Sequence, residues 1–308
     1  MRKLIVLWLC LCGGLVYAAD GLREVTDSQG NKNKVDDKGI VYTDASPAPF
    51  RDRPHASVEN VNYYYNKFGT LINGGEQSDA IFMGTEILDL PEDSKNIPAL
   101  KYAVSLTMKR AMDIETLNRQ VPFVRHERDG KVVYRNRQMQ FEVGYPARFP
   151  ADDQFAGNPG KMEFAYLAMA LDKPGDDGMA PAIAITAQLM KTTLEDTVRT
   201  VQGNIQKKRG VELKLMKSAL RAGGKQYKGS RTVNGKSVSE EALFLTHPKG
   251  RFVYTVSFMC GDARYNEYYP HFEAVVKSLR IGPIAPLKYR LEPPPGLLKE
   301  AAEKPKKK

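Results

Sequence analysis

The residues with chemical potential are few and widely spread. Histidine occurs at His55, His126, His247 and His271, and no two share the short spacing that brings imidazoles onto one metal ion. His126 stands beside Glu127 in a run that reads as a hairpin. Neighbouring side chains on a strand point to opposite faces, so this pair is placed for surface or capping roles rather than for a shared ion. Asp152-Asp153 and Asp176-Asp177 fall in loop-like segments and could offer carboxylate oxygens to a hard cation. Each pair lacks the further spaced oxygen donors of a calcium loop, which leaves them as solvated turn residues. The chain carries no Gly-x-Ser-x-Gly elbow, no glycine-rich phosphate loop with its lysine and no His-Glu-x-x-His pair. These readings assign no catalytic residue, no cofactor and no metal site.

The N-terminus bears on which chain folds. Arg2 and Lys3 precede an apolar run from Leu4 to Val16, and Val16-Tyr17-Ala18 offers small residues at the two positions a signal peptidase reads. The run is shorter than the ~20 residues that cross a bilayer as a helix. Residues 1–18 therefore read as a secretory signal cut after Ala18, with a periplasmic or secreted product. An uncleaved anchor and a lipoprotein signal are the alternatives, and Cys10 and Cys12 each follow a leucine where lipoprotein signals place a small residue. Removal of the signal leaves Cys260 as the remaining cysteine, so no intramolecular disulfide can form and an ordinary core must hold the chain. Cys260 closes an apolar run with Val256, Phe258 and Met259, the setting of a buried, inert thiol rather than an activated nucleophile.

Charge adds a second bound. The chain carries a net +10, and Lys299 to Lys308 holds five lysines against two glutamates. Lys304, Lys306, Lys307 and Lys308 are candidate contacts to an anionic surface, binding that would weaken in salt. The same composition also suits a solvated end with no ligand. Nucleic acid is a poor partner for an exported chain without a recognition motif.

The elements that would position any site fall into a sequence of pieces. Residues 19–56 are rich in turn formers and read as a flexible or hairpin-containing segment. Residues 57–121 read as helical. Val61, Tyr64, Tyr65, Phe68, Leu71 and Ile72 recur at helical spacing up to Gly74-Gly75, and a second helix opens at Ser94 or Pro98 and carries Leu100, Val104, Met108, Ala111 and Met112. Ile81 to Leu90 is open between strand and helix. The tyrosine run Tyr63-Tyr64-Tyr65 could face a sugar or a peptide, but two of its rings fit the apolar stripe and read as core.

Residues 122–283 alternate strands and helices, and 284–308 form a Pro- and Lys-rich tail. Val124 to Arg135 reads as a hairpin about Asp129-Gly130, and Met162–Leu171 and Ala182–Met190 as antiparallel neighbours. A helix follows, with Thr192 and Glu195 as a capping box and Leu194, Val198, Val201 and Ile205 on one face. Val211–Leu220, Lys225–Val233, Ser237–Thr246 and Phe252–Cys260 then read as strands, with Asn234-Gly235 as a tight turn. A last helix carries Phe272, Val275, Val276 and Leu279, preceded by Tyr265, Tyr268 and Tyr269. The order implies an α+β domain, an antiparallel sheet flanked by helices and preceded by a smaller helical region.

Phe141-Glu142-Val143-Gly144-Tyr145-Pro146, the helix after Thr192, and Phe252-Val253-Tyr254-Thr255-Val256 leading to Phe272 and Ser278-Leu279-Arg280-Ile281 resemble the PsbP-like family of α/β/α sandwich proteins. That family includes the photosystem extrinsic protein PsbP, a Ran-binding nuclear import factor and many exported bacterial proteins. The resemblance covers residues 139–281 and departs at Phe149, where many relatives carry tryptophan. It implies an assembly, docking or accessory protein rather than an enzyme, and it transfers no catalytic group.

The function expected is thus an exported, non-enzymatic accessory or docking protein of the bacterial envelope, with an envelope protein or an anionic envelope polymer as partner. The alternatives are a binder of anionic polymer or lipid through the lysine tail, and a hydrolase whose site the sequence does not reveal.

Overall fold

A computed structural model describes residues 23–26, 32–35, 41–44, 55–92, 96–121, 123–158, 161–175 and 178–295. The signal expected over 1–18, the Asp176-Asp177 pair and the Lys304–Lys308 tail lie outside the described residues. The chain divides into two compact units, one formed by residues 1–51 and 138–282, the other by residues 52–137 and 283–308.

The larger unit is an α+β sandwich, as the order of elements and the resemblance implied. Its strands are β1 (Arg23–Thr26), β2 (Lys32–Val35), β3 (Val41–Asp44), β6 (Phe141–Pro146), β7 (Ala151–Asn158), β8 (Lys161–Ala170), β9 (Ala182–Leu189), β10 (Lys214–Leu215), β11 (Lys225–Val233), β12 (Lys236–Thr246), β13 (Phe252–Gly261) and β14 (Arg280–Ile281). Its helices are α5 (Leu194–Arg209) and α6 (Tyr265–Ser278). Among the described residues the main sheet runs β1-β2-β3-β7-β8-β9-β13-β12-β11-β10, and each neighbouring pair in that order is antiparallel.

The central strands are covered on both faces, which is why β12 and β13 are buried almost end to end rather than in alternation. One face receives α5, whose Val198, Val201 and Ile205 pack with Val211, Leu213, Ala242 and Phe244. The other receives α6, whose Phe272 ring stacks on Phe258 of β13 at 5.3 Å. Each helix presents the apolar stripe its spacing predicts.

Local chemistry sets the connections. Asn234 and Gly235 join β11 to β12 with φ of 49° and 75°, the left-handed pair that a two-residue hairpin requires. The cap of α5 is displaced by one residue from the Thr192–Glu195 reading. Thr193 is the N-cap, its Oγ1 accepting from the Asp196 N–H at 3.1 Å and donating to the Asp196 carboxylate at 2.8 Å. Val211–Leu220 forms a strand only at Lys214–Leu215. The preceding residues cross the face of β11 instead of lying along its edge: a Cβ on Gly229 would sit 2.6 Å from the Glu212 carbonyl oxygen, so glycine permits the crossing. Tyr265, Tyr268 and Tyr269 lie inside α6 rather than before it, and Pro270 sits within that helix.

The smaller unit holds α1 (Val61–Gly74), α2 (Gln77–Asp89), α3 (Ile97–Ala111), α4 (Ile114–Gln120) and the hairpin β4 (Phe123–Arg128) and β5 (Lys131–Asn136). Ile81 to Leu90, open in the sequence, is mostly helix α2. Val61, Tyr64, Phe68 and Leu71 are buried, whereas Tyr63 points to solvent and Tyr65 is half-buried. The division between units falls after Arg137 rather than at 122, because the β4–β5 hairpin belongs with the helices. The tail also begins later than 284. Leu287 is buried, its N–H donates to Asn118 Oδ1 at 2.8 Å, and the Tyr289 hydroxyl donates to the Met112 carbonyl at 2.9 Å.

Candidate functional site

Two glutamates interrupt the apolar run of β12, and each is buried. Glu240 faces α5 and meets the Arg209 guanidinium at the end of that helix, together with Arg231 Nε at 2.8 Å. Glu241 faces α6. It accepts from Gln226 Nε2 at 2.7 Å and from the Tyr265 hydroxyl, and lies 3.3 Å from the Lys228 ammonium. Lys228 Nζ also sits 3.8 Å from the centre of the Tyr265 ring, and that ring stacks on Tyr269 at 5.1 Å. Burial, followed by the hydrogen bond to Glu241, pushes the Tyr265 phenol well above its ordinary value. The phenol therefore stays protonated and donates; it is not an ionised nucleophile at neutral pH.

A third group lies on the loop after β8. Asp172 accepts from the Tyr268 hydroxyl at 2.7 Å and pairs with Arg264, and these contacts hold its carboxyl below the usual range. Tyr268 is pushed up to about 12, first by burial and then by Asp172. In all three places the acid is held by donors that also tie one element of the sandwich to another.

The four histidines occupy four separate settings. His55 Nδ1 lies 3.7 Å from Glu86. His247 sits in the turn between β12 and β13, its Nδ1 accepting from the Lys249 N–H at 3.1 Å, and burial with Lys249 and Arg251 nearby pushes its imidazole down. His271 packs edge-on against Phe149 at 5.2 Å. His126 departs from the surface role read in the sequence. It is buried, with Nδ1 3.0 Å from Asp89 Oδ2.

Asp89 is the hub of the smaller unit. Arg135 Nη1 donates to its Oδ2 at 3.1 Å and Arg137 Nη2 to its Oδ1. Burial pushes this carboxyl up, but the His126 hydrogen bond and the Arg137 and Arg135 charges outweigh it and hold Asp89 below its ordinary value.

The other sequence candidates resolve simply. Asp152 and Asp153 stand on strand β7 rather than in a loop, and Asp153 is buried. A strand sends adjacent side chains to opposite faces, so the two carboxylates do not converge. Cys260 is buried, as its apolar neighbours implied. Among the described residues no group of three or more His, Cys, Asp or Glu is placed to hold a metal ion.

No protein-family model and no curated protein matches the chain. Among solved structures it is similar to a cyanobacterial PsbP from Synechocystis, with 13% identity over 51% of this chain and 95% of that one, at a TM-score of 0.34. It is similar to LpqN, involved in cell envelope biogenesis of Mycobacterium tuberculosis, with 14% identity over 44% and 86% of the two chains and a TM-score of 0.29. A protein of Bacteroides thetaiotaomicron matches at 13% identity over 46% and 45%, with a TM-score of 0.27. The PsbP-like resemblance read over residues 139–281 is thus met again among solved structures. At these TM-scores the likeness supports no functional argument.

Proposed function

We propose that this protein is an exported accessory protein of the bacterial envelope that works by docking to a protein partner. The observation that supports this reading is the closure of the sandwich's buried acids. Glu240 is held by Arg209 and Arg231, and Glu241 by Gln226, Lys228 and Tyr265, so each carboxylate is committed to holding elements together. A general acid or base needs a free path to a substrate proton, and neither group offers one while these donors stay in place. The edge of the sheet gives a place to bind. On β10, the last strand of the sheet order, both residues are exposed, and Leu215, at 65% exposure, presents a large apolar side chain. No helix among the described residues is long and apolar enough to cross a membrane.

The test pairs localisation with a broad ester, peptide and glycan substrate screen on the full chain. Docking predicts an extracytoplasmic product with no turnover. Turnover that disappears in Glu241→Gln while the fold is retained would replace this reading with the hydrolase alternative.

A further inference from the structure

Among the described residues, the charge network around Asp89 in the smaller unit gathers four permanent cations about two acids. Asp89, at the end of α2, takes His126, Arg135 and Arg137. Glu92, three residues on, pairs with Lys101 Nζ at 3.6 Å and with Arg290. The two acids share one field, since Lys101 responds to Glu92, Asp89 and Arg290 together. Two carboxylates therefore serve Lys101, Arg137 and Arg290, and Asp89 is shared with Arg135 as well. Among the described residues, Lys101, Arg137 and Arg290 by themselves outnumber these two acids.

The excess coincides with unmet hydrogen-bonding capacity. Arg137 Nη1 and Arg290 Nε are both buried and without an acceptor, although the same guanidiniums donate elsewhere to Asp89, Ala285 and Glu92. The Arg137 side chain is only 8% exposed, so water is a poor substitute there. A buried donor left unmade costs free energy, and an oxyanion would supply its acceptor. Guanidinium is the cation whose planar donors best fit a carboxylate or phosphate. Arg135, Arg290 and Glu92 are partly exposed, which gives the network a side open to solvent. Burial, only partly offset by Glu92 and Asp89, also pushes the Lys101 ammonium down.

We infer that Arg137, in the network that Asp89 and Glu92 share with Lys101 and Arg290, forms a binding site for a phosphate-type oxyanion, either free or carried on a lipid headgroup. This site is independent of docking through the sandwich.

The test is thermal unfolding of the full chain in sodium phosphate against sodium chloride at matched ionic strength. A saturable rise in Tm specific to phosphate is expected, abolished in Arg137→Gln and with phosphate affinity about tenfold weaker in Arg290→Gln, the loss of one charge-assisted hydrogen bond. Equal behaviour in the two salts would overturn the site. Should Arg137→Gln fail to fold because Asp89 loses a partner, the more exposed Arg290→Gln decides alone, and undiminished phosphate affinity there would overturn it. Sedimentation with phosphatidylglycerol vesicles that is lost in Arg290→Gln assigns the headgroup. A phosphate-specific shift without sedimentation assigns the free anion, and both uphold the site.

Discussion

Glu240 and Glu241 are neighbours in the chain, yet they tie the same buried strand to opposite helices: Glu240 is bound by Arg209 of α5, and Glu241 by Tyr265 of α6. A strand alternates its side chains, so two adjacent acids are enough to pin both layers of a sandwich. The arrangement fixes where each helix sits along β12, which an apolar contact alone would leave free to slide.

Breaking the first link should cost most. Glu240→Gln removes the buried charge that Arg209 and Arg231 share, and removing one partner of a buried ion pair costs about 3–5 kcal/mol. Urea unfolding should show a lower midpoint with an unchanged slope. A midpoint within error of the parent chain would show that Glu240 does not fasten α5.

The second link is milder. Tyr265→Phe keeps the ring that stacks on Tyr269 and faces Lys228 but deletes the donor to Glu241, a hydrogen bond to a charged group worth about 1.5–3 kcal/mol. Near-ultraviolet circular dichroism of the folded variant should stay native while the urea midpoint falls.

The helix cap can be assigned by a pair of variants. Thr193→Ala removes the acceptor for the Asp196 N–H and should destabilise by ~1 kcal/mol, whereas Thr192→Ala should have a smaller effect. The reverse order would restore the cap to Thr192.

Acid should loosen the smaller unit through Asp89. Its carboxyl is held below the ordinary 3.8 in the fold, so its contribution is whole above that value and is lost as pH falls from there toward the depressed one. His126, Arg135, Arg137 and, across Glu92, Lys101 face it. Asp89→Asn should unfold more easily at neutral pH, and between about pH 5 and pH 2 its stability should fall less steeply than that of the parent chain. Parallel pH profiles for the two chains would contradict this.

Local signals in the sequence carried the fold a long way. Asn234-Gly235, the paired runs at Met162–Leu171 and Ala182–Met190, and the one-sided helix over Val198, Val201 and Ile205 each dictate a conformation from a few neighbouring residues. What was not legible depends on partners far along the chain. Asp89 and His126 are 37 positions apart, and no spacing rule joins them. Tyr289 and Leu287 read as tail until the partners at Met112 and Asn118 are known. The Glu240-Glu241 pair did leave a trace, two acids inside the apolar run Ser237–Thr246, where a buried strand should hold none without counter-charges.

Docking through the folded chain is tested most directly by affinity capture of the full chain from bacterial envelope extract, at low and high salt. A chain ending at Gly296 and a Leu215→Asp variant run beside it. The predicted result is a stoichiometric protein partner retained in high salt and by the shortened chain, and diminished by Leu215→Asp. Capture that vanishes in high salt and with residues 297–308 would contradict docking and assign the binding to the lysine tail.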